Sequence, residues 1–164
     1  MFTESAFQIT LHVATFFTSL VAGFLFAFAL VVMPGIKALP DRQFIRAFQV
    51  MDGIIQNNHP LFIIVWVGSV LTLMLSAVFG LWHLDSISRI TLLLATVIYI
   101  VGVQLPTITI NVPLNNRLQA HDASSSDDTV QIQARNDFES RWNFWNSFRT
   151  ILASLVSVTL MSLL

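Results

Sequence analysis

No cysteine occurs anywhere in the chain. Disulfides, thiolate metal sites and a cysteine nucleophile are thereby excluded. Charge is almost as scarce: 10% of residues are Asp, Glu, Lys or Arg, against about 25% in soluble domains. So few charges leave too little polar surface for a water-exposed globule, and lipid is the expected solvent for much of the chain. The net charge of −1 holds no basic excess of the kind that nucleic acid requires. Also missing are the phosphate-binding P-loop, the dinucleotide glycine fingerprint, and the HExxH and GxSxG signatures.

Apolar length fills the space these absences leave. Hydrophobic residues make up 55% of the 164 positions. A helix crosses the bilayer core with about 20 apolar residues. Four stretches are expected to do so: 6–33, 60–81, 87–112 and 145–164. The first begins without Lys or Arg and is far longer than a signal-peptide core, so it is expected to remain as an anchor. Two segments lie between spans. Residues 40–58 read as an amphipathic helix, with Phe44, Phe48, Met51 and Ile55 on one face and Arg42, Gln49, Asp52 and Gln56 on another. The first face is expected to be buried against the bundle or lipid, with Arg42 and Gln49 wet. Residues 116–141 form a polar connection, with Ser124, Asp127 and Asp128 marking a helix start.

The expected fold is an all-α membrane protein of one domain, 1–164. It is a bundle of four transmembrane helices with an amphipathic interfacial helix between spans 1 and 2. Lys37, Arg42 and Arg46 flank the first connection, and Arg117, Arg135 and Arg141 the second, while Arg89 is alone on the other side. The excess of positive charge on cytoplasmic loops places both connections in the cytoplasm and both termini outside a plasma-type membrane. Small residues recur every fourth position at Gly68, Thr72, Ser76 and Gly80, and at Ala14, Thr18 and Ala22. These are expected helix-contact seams. The bilayer is the certain partner in this reading, and a homo-oligomer is compatible with it.

Polar residues inside spans are expensive and therefore informative. Gln104, Thr107, Asn111 and Asn115 fall on one face of the third span, opposite Pro106 and Pro113. Trp142, Trp145, Asn146 and Arg149 share a face of the fourth. An arginine stays charged in a protein and needs a partner or water. With Asn57, Asn58 and His59 at the start of the second span, these stripes meet at one membrane face. Two readings are open for each stripe. They line a cavity for a hydrophobic small molecule or lipid, or they supply interhelical hydrogen bonds and an interfacial anchor. His12 and His83 lie at the opposite end, but no third ligand is spaced to complete a metal site.

Two motifs carry a family resemblance: Asn111-Val112-Pro113-Leu114-Asn115-Asn116, closing the third span, and Trp142-Asn143-Phe144-Trp145-Asn146-Ser147-Phe148-Arg149-Thr150, opening the fourth. With them the chain resembles the anthrone-oxygenase-like membrane family. The resemblance implies oxidation of a flat phenolic or quinol-like molecule by O₂, with no metal or other cofactor called for. In that chemistry His59 would be the base, because histidine titrates near neutrality. Arg149 would stabilise the developing oxyanion together with Asn111 and Asn146. Trp142 and Trp145 would stack on the rings, and Asn115 and Gln104 would complete the polar lining. The competing reading is a non-enzymatic membrane protein, in which the same residues hold a lipid or a partner helix.

Overall fold

The structure is a computed structural model that describes residues 2–124 and 127–164, the side chains of residues 2 and 3 apart. All regular elements among the described residues are helical. Helix α1 (Phe2–Ala27) passes through a π-helical turn (Phe28–Val32) into α2 (Met33–Lys37). Helix α3 is Asp41–Gln56 and α4 is Pro60–His83. Helix α5 (Ser86–Ile98) continues through π-helical turns at Tyr99–Gln104 and Thr107–Asn111 into α6 (Val112–Gln119). Helix α7 runs unbroken from Asp128 to Met161.

Three of these stretches are long and apolar enough to cross a membrane: Glu4–Lys37, Pro60–His83 and Ser86–Gln119. Their outer surfaces carry exposed Leu30, Leu71, Leu94 and Ile108, a coat suited to lipid. The chain is a membrane protein. The first of these stretches does not stop at Pro34, as its sequence suggests, but runs on to Lys37. Helix α7 does not match the other three in hydropathy, because Asn146 and Arg149 interrupt the apolar part of its length. It nevertheless packs along α1 and α5.

Proline explains the π turns. Its ring clashes with the carbonyl four residues back and leaves that carbonyl without a donor. Each π turn ends two residues before a proline: Val32 before Pro34, Gln104 before Pro106, Asn111 before Pro113. Widening the turn shifts the ladder to bonds spanning five residues, as in Leu105 N–H to Ile100 O and Val112 N–H to Thr107 O. The helix thus stays continuous through positions that would otherwise break it.

Close packing of α1 on α4 follows the small-residue seams. Ala14, Thr18 and Ala22 are buried on α1, as are Ser76 and Gly80 on α4. A Cβ at Gly68 would stand 2.6 Å from Cε2 of Phe17, so a side chain there displaces the ring or the helix. The core here joins Phe7, Leu11, Leu25, Leu73, Tyr99 and Leu160.

A second cluster forms at the other end. Phe44, Ile45 and Phe48 of α3 pack with Met33, Leu114, Leu118, Phe138 and Trp142. Helix α3 therefore packs as a cap on the ends of the other helices. Its buried face also differs from expectation: Gln49, expected to be wet, is buried, and so is Asp52. They are turned inward because Ile45 extends the apolar arc toward them, and because α6 offers partners. Gln49 Nε2 donates to Leu118 O at 2.8 Å and to His121 O at 2.9 Å. The cap is fastened by Arg135 of α7. It donates to Asp41 at 2.9 Å, to Glu139 at 2.7 Å, and to the carbonyls of Lys37 and Leu39, with its guanidinium 4.4 Å from the Phe44 ring centre. Its side chain is mostly buried, and its acidic neighbours hold the charged form.

Candidate functional site

A cavity of about 620 Å³ lies beneath this cap, within the range of about 300–1,000 Å³ typical of small-molecule sites. Its walls come from every long helix. Phe24, Leu25 and Phe28 enter from α1 and its π turn, Phe48, Asp52 and Ile55 from α3, and Phe62, Trp66, Val67, Val70 and Met74 from α4. Ile100, Gln104, Thr107, Ile108, Asn111, Val112 and Asn115 come from the third stretch, and Trp142, Asn146 and Arg149 from α7.

Six of these residues are aromatic, and they form a connected wall. Phe62 stacks on Trp66 with centroids 5.2 Å apart, and Phe24 meets both edge-on. Phe28 and Phe48 lie 5.7 Å and 5.5 Å from Trp142. Such a surface suits a flat ring system, because offset and edge contacts with aromatic faces add to simple burial.

The polar groups concentrate on the two wide turns and on α7. Arg149 is 3% exposed. Its Nη1 donates to Thr107 Oγ1 at 2.7 Å, its Nη2 to Asn146 Oδ1 at 3.2 Å, and its Nε to Trp145 O at 3.4 Å. These partners are neutral, and among the described residues no carboxylate lies within salt-bridge distance. A buried cation without a counter-charge is costly, and an anionic ligand is the group that would relieve it. Two further groups are unsatisfied: Gln104 Nε2, a donor, and Asn111 Oδ1, an acceptor, are buried without a hydrogen-bond partner. Gln104 Oε1 accepts from Trp66 Nε1 at 2.9 Å. Asn111 Nδ2 reaches Trp142 O at 3.4 Å.

Toward the cap, Asp52 is 3% exposed and surrounded by amide donors. Asn115 Nδ2 donates to its Oδ1 at 2.8 Å, and Gln56 and Gln119 to its Oδ2 at 2.9 and 3.0 Å. Asn115 Oδ1 in turn accepts from Trp142 Nε1 at 2.7 Å. One chain of hydrogen bonds thus links the acid of α3 to the aromatic wall of α7.

The structure brings together Arg149, Asn111, Asn115, Trp142, Asn146 and Gln104 of the residues singled out in the sequence. It does not bring the other two. His59 precedes α4 as an exposed residue and does not line the cavity. Trp145 is half-buried and packs edge-on against Phe144 and Phe148, on a different face of α7 from Asn146. Sequence reasoning missed Asp52, Trp66 and the phenylalanines of α1. The signal for Asp52 was its place four residues after Phe48, itself four after Phe44. Among the described residues, no group of three or more His, Asp and Glu gathers.

A family model described as Anthrone oxygenase matches residues 55–159. No curated protein and no solved structure matched the chain. The matched stretch contains every cavity residue of α4, of the third stretch and of α7, while Asp52 lies just outside it.

Proposed function

The chain belongs to the anthrone oxygenase family, and from that premise we propose that its cavity binds a flat, hydroxylated or enolisable aromatic molecule and oxidises it with O₂. The observation that supports this most is Arg149, a buried guanidinium lining an aromatic-walled cavity with only neutral partners. An anthrone has a CH₂ flanked by rings, and loss of its proton moves negative charge onto the ring-carbonyl oxygen. Arg149 stabilises that oxygen, and the unpaired Gln104 Nε2 is a second donor for it. Overall, the CH₂ and O₂ become a C=O and one water, so the carbon is oxidised by O₂ and no further reductant is consumed.

His59 is replaced as proton acceptor by Asp52, the one carboxylate in the lining. An ionised carboxylate has about four acceptor positions. Three are taken by amides, which leaves one for the proton. The membrane arrangement belongs to the same reading. Helix α7 crosses as a fourth span with Arg149 masked inside the bundle, and the capped end carrying Arg42, Arg117 and Arg135 faces the cytoplasm.

Anthrone supplied to the protein in lipid nanodiscs tests the function. O₂ uptake should match anthraquinone appearance one for one. Arg149→Leu should abolish both, and Arg149→Lys should restore only part, because a point charge lacks the planar fork. No O₂ uptake by the parent, or full turnover by Arg149→Leu, would overturn the reading.

A further inference from the structure

We propose that the cavity opens sideways, through a slot between α4 and the stretch Ser86–Gln119, into the hydrocarbon of the bilayer, and that its lipophilic ligand passes through this slot in neutral form. The ligand's identity rests on the reading above; the slot itself does not.

The other sides carry more packing. At the back, α1 packs along both α4 and α7. At the polar end, Phe48, Asp52 and Ile55 of α3 roof the cavity, and the amides of Asn115 and Gln119 tie Asp52 down to α6. The remaining side lies between α4 and the π-turned stretch. Those two helices are joined by a tight turn at His83–Ser86 and pack where α4 meets α5. Beyond that, two side-chain hydrogen bonds cross between them among the described residues: Ser69 to Tyr99 at 2.8 Å, and Trp66 to Gln104 at 2.9 Å.

The edges of the slot are marked by side chains that are at once cavity wall and outer surface. Val67 and Met74 of α4 line the cavity while 48% and 50% exposed. On the other stretch, nearer the cap, Ile108 and Val112 line it while 67% and 41% exposed. All four are apolar and sit on stretches able to cross a membrane, so the medium outside the slot is acyl chain, not water. Such a passage admits an uncharged ring system and rejects an ion, because a charge in hydrocarbon is heavily penalised. A ligand would therefore arrive protonated and ionise only on reaching Arg149. The Trp66–Gln104 pair spans the slot as a single neutral hydrogen bond, weak enough to part and re-form.

The absence of native cysteine makes the test direct. Val70→Cys places one thiol on the cavity wall, and Gln133→Cys places one on the exposed surface of α7 as a reference for each reagent. Both proteins, in phospholipid vesicles, are treated with benzyl methanethiosulfonate, neutral and lipid-soluble, or with its trimethylammonium-ethyl counterpart. Relative to the reference thiol, the benzyl reagent should label the Val70→Cys thiol at least about tenfold faster than the charged one. Adding Ile108→Trp, a bulky ring at a lipid-exposed edge that leaves the core untouched, should slow the benzyl reagent at least about threefold by obstructing the slot. Equal normalised rates for the two reagents, or a benzyl rate unchanged by Ile108→Trp, would overturn the proposal. No substrate or oxidation enters this measurement, so its failure and the failure of the oxygenase reading are separately visible.

Discussion

Arg149 and Asp52 occupy the same cavity with opposite arrangements of partners. The arginine faces a hydroxyl, an amide oxygen and a backbone carbonyl; the aspartate faces three amide donors. Each charge is solvated by neutral dipoles, and a ligand with an ionisable oxygen is left to complete the arginine's side. Replacing Arg149 with Leu removes a costly buried charge along with its modest hydrogen bonds, so thermal stability should change little. Binding of an ionisable anthraquinone such as alizarin, read by Trp quenching, should weaken by roughly 100-fold, the worth of a charged hydrogen bond. Asp52→Asn turns an acceptor into a group that presents N–H to other N–H groups. At least one amide of Gln56, Asn115 or Gln119 then loses its partner, at a cost of about 1–3 kcal/mol. Hydrogen exchange should accelerate in α3 and α6 while α1 and α4 stay protected, and turnover should fall. Unchanged exchange in α3 would show that the cap does not depend on the carboxylate.

At the scale of elements, the π turns and the small-residue seam do different work. Wide turns at Tyr99–Gln104 and Thr107–Asn111 carry Gln104, Thr107 and Asn111, all of which face the cavity. Pro106 and Pro113 hold those turns open, and Pro106→Ala permits an ordinary helical ladder in place of the first. The register of Thr107 against Arg149 would then shift, with loss of turnover while helix content by circular dichroism stays within a few per cent. The seam is structural. Gly68→Ala pushes a methyl to 2.6 Å from the Phe17 ring, so the ring or the helix must give. Overpacking of this kind costs about 1–3 kcal/mol. A lowered unfolding temperature with anthrone turnover per folded molecule unchanged is the expected outcome, since neither residue lines the cavity.

The whole molecule divides into an apolar body and a polar cap. The first half of α7, with α3 and α6, builds the cap; the second half threads the body. Helix α7 thus enters as a soluble helix and continues among membrane helices, with Asn146 donating to Leu25 O at 3.1 Å on the way in. If α7 spans, both ends of the chain lie on the side opposite the cap. A reporter that is active only in the periplasm should be active when fused after Leu164 and silent when inserted at Ser124. The converse pattern would reverse the orientation, and activity at both places would mean that α7 does not cross.

Much of this was legible in the sequence because lipid imposes simple rules. Scarce charge and long apolar runs marked the membrane helices, spacing of four marked the seams, and spacing of three and four marked the polar stripes of Gln104, Thr107, Asn111 and of Trp142, Asn146, Arg149. Period reveals which residues share a face, since it follows from the helix alone. It does not reveal what that face meets. Gln49 looked wet, and Asp52 was set on the polar face, because polarity was read without their partners on α6, more than 60 residues away in the chain. His59 was set at the cavity mouth because depth in the bilayer was read without direction, and in the structure it is exposed and outside the lining. Trp145 looked like a cavity wall because three residues of difference from Trp142 place it near the same face, yet the packing of α7 chose Trp142 and left Trp145 to Phe144 and Phe148. The sequence alone determined the helices, their apolar surfaces and the residues too polar to face lipid. Which of those polar residues converge, and around what space, was decided only when widened turns and a capping helix fixed the azimuth of each helix against its neighbours.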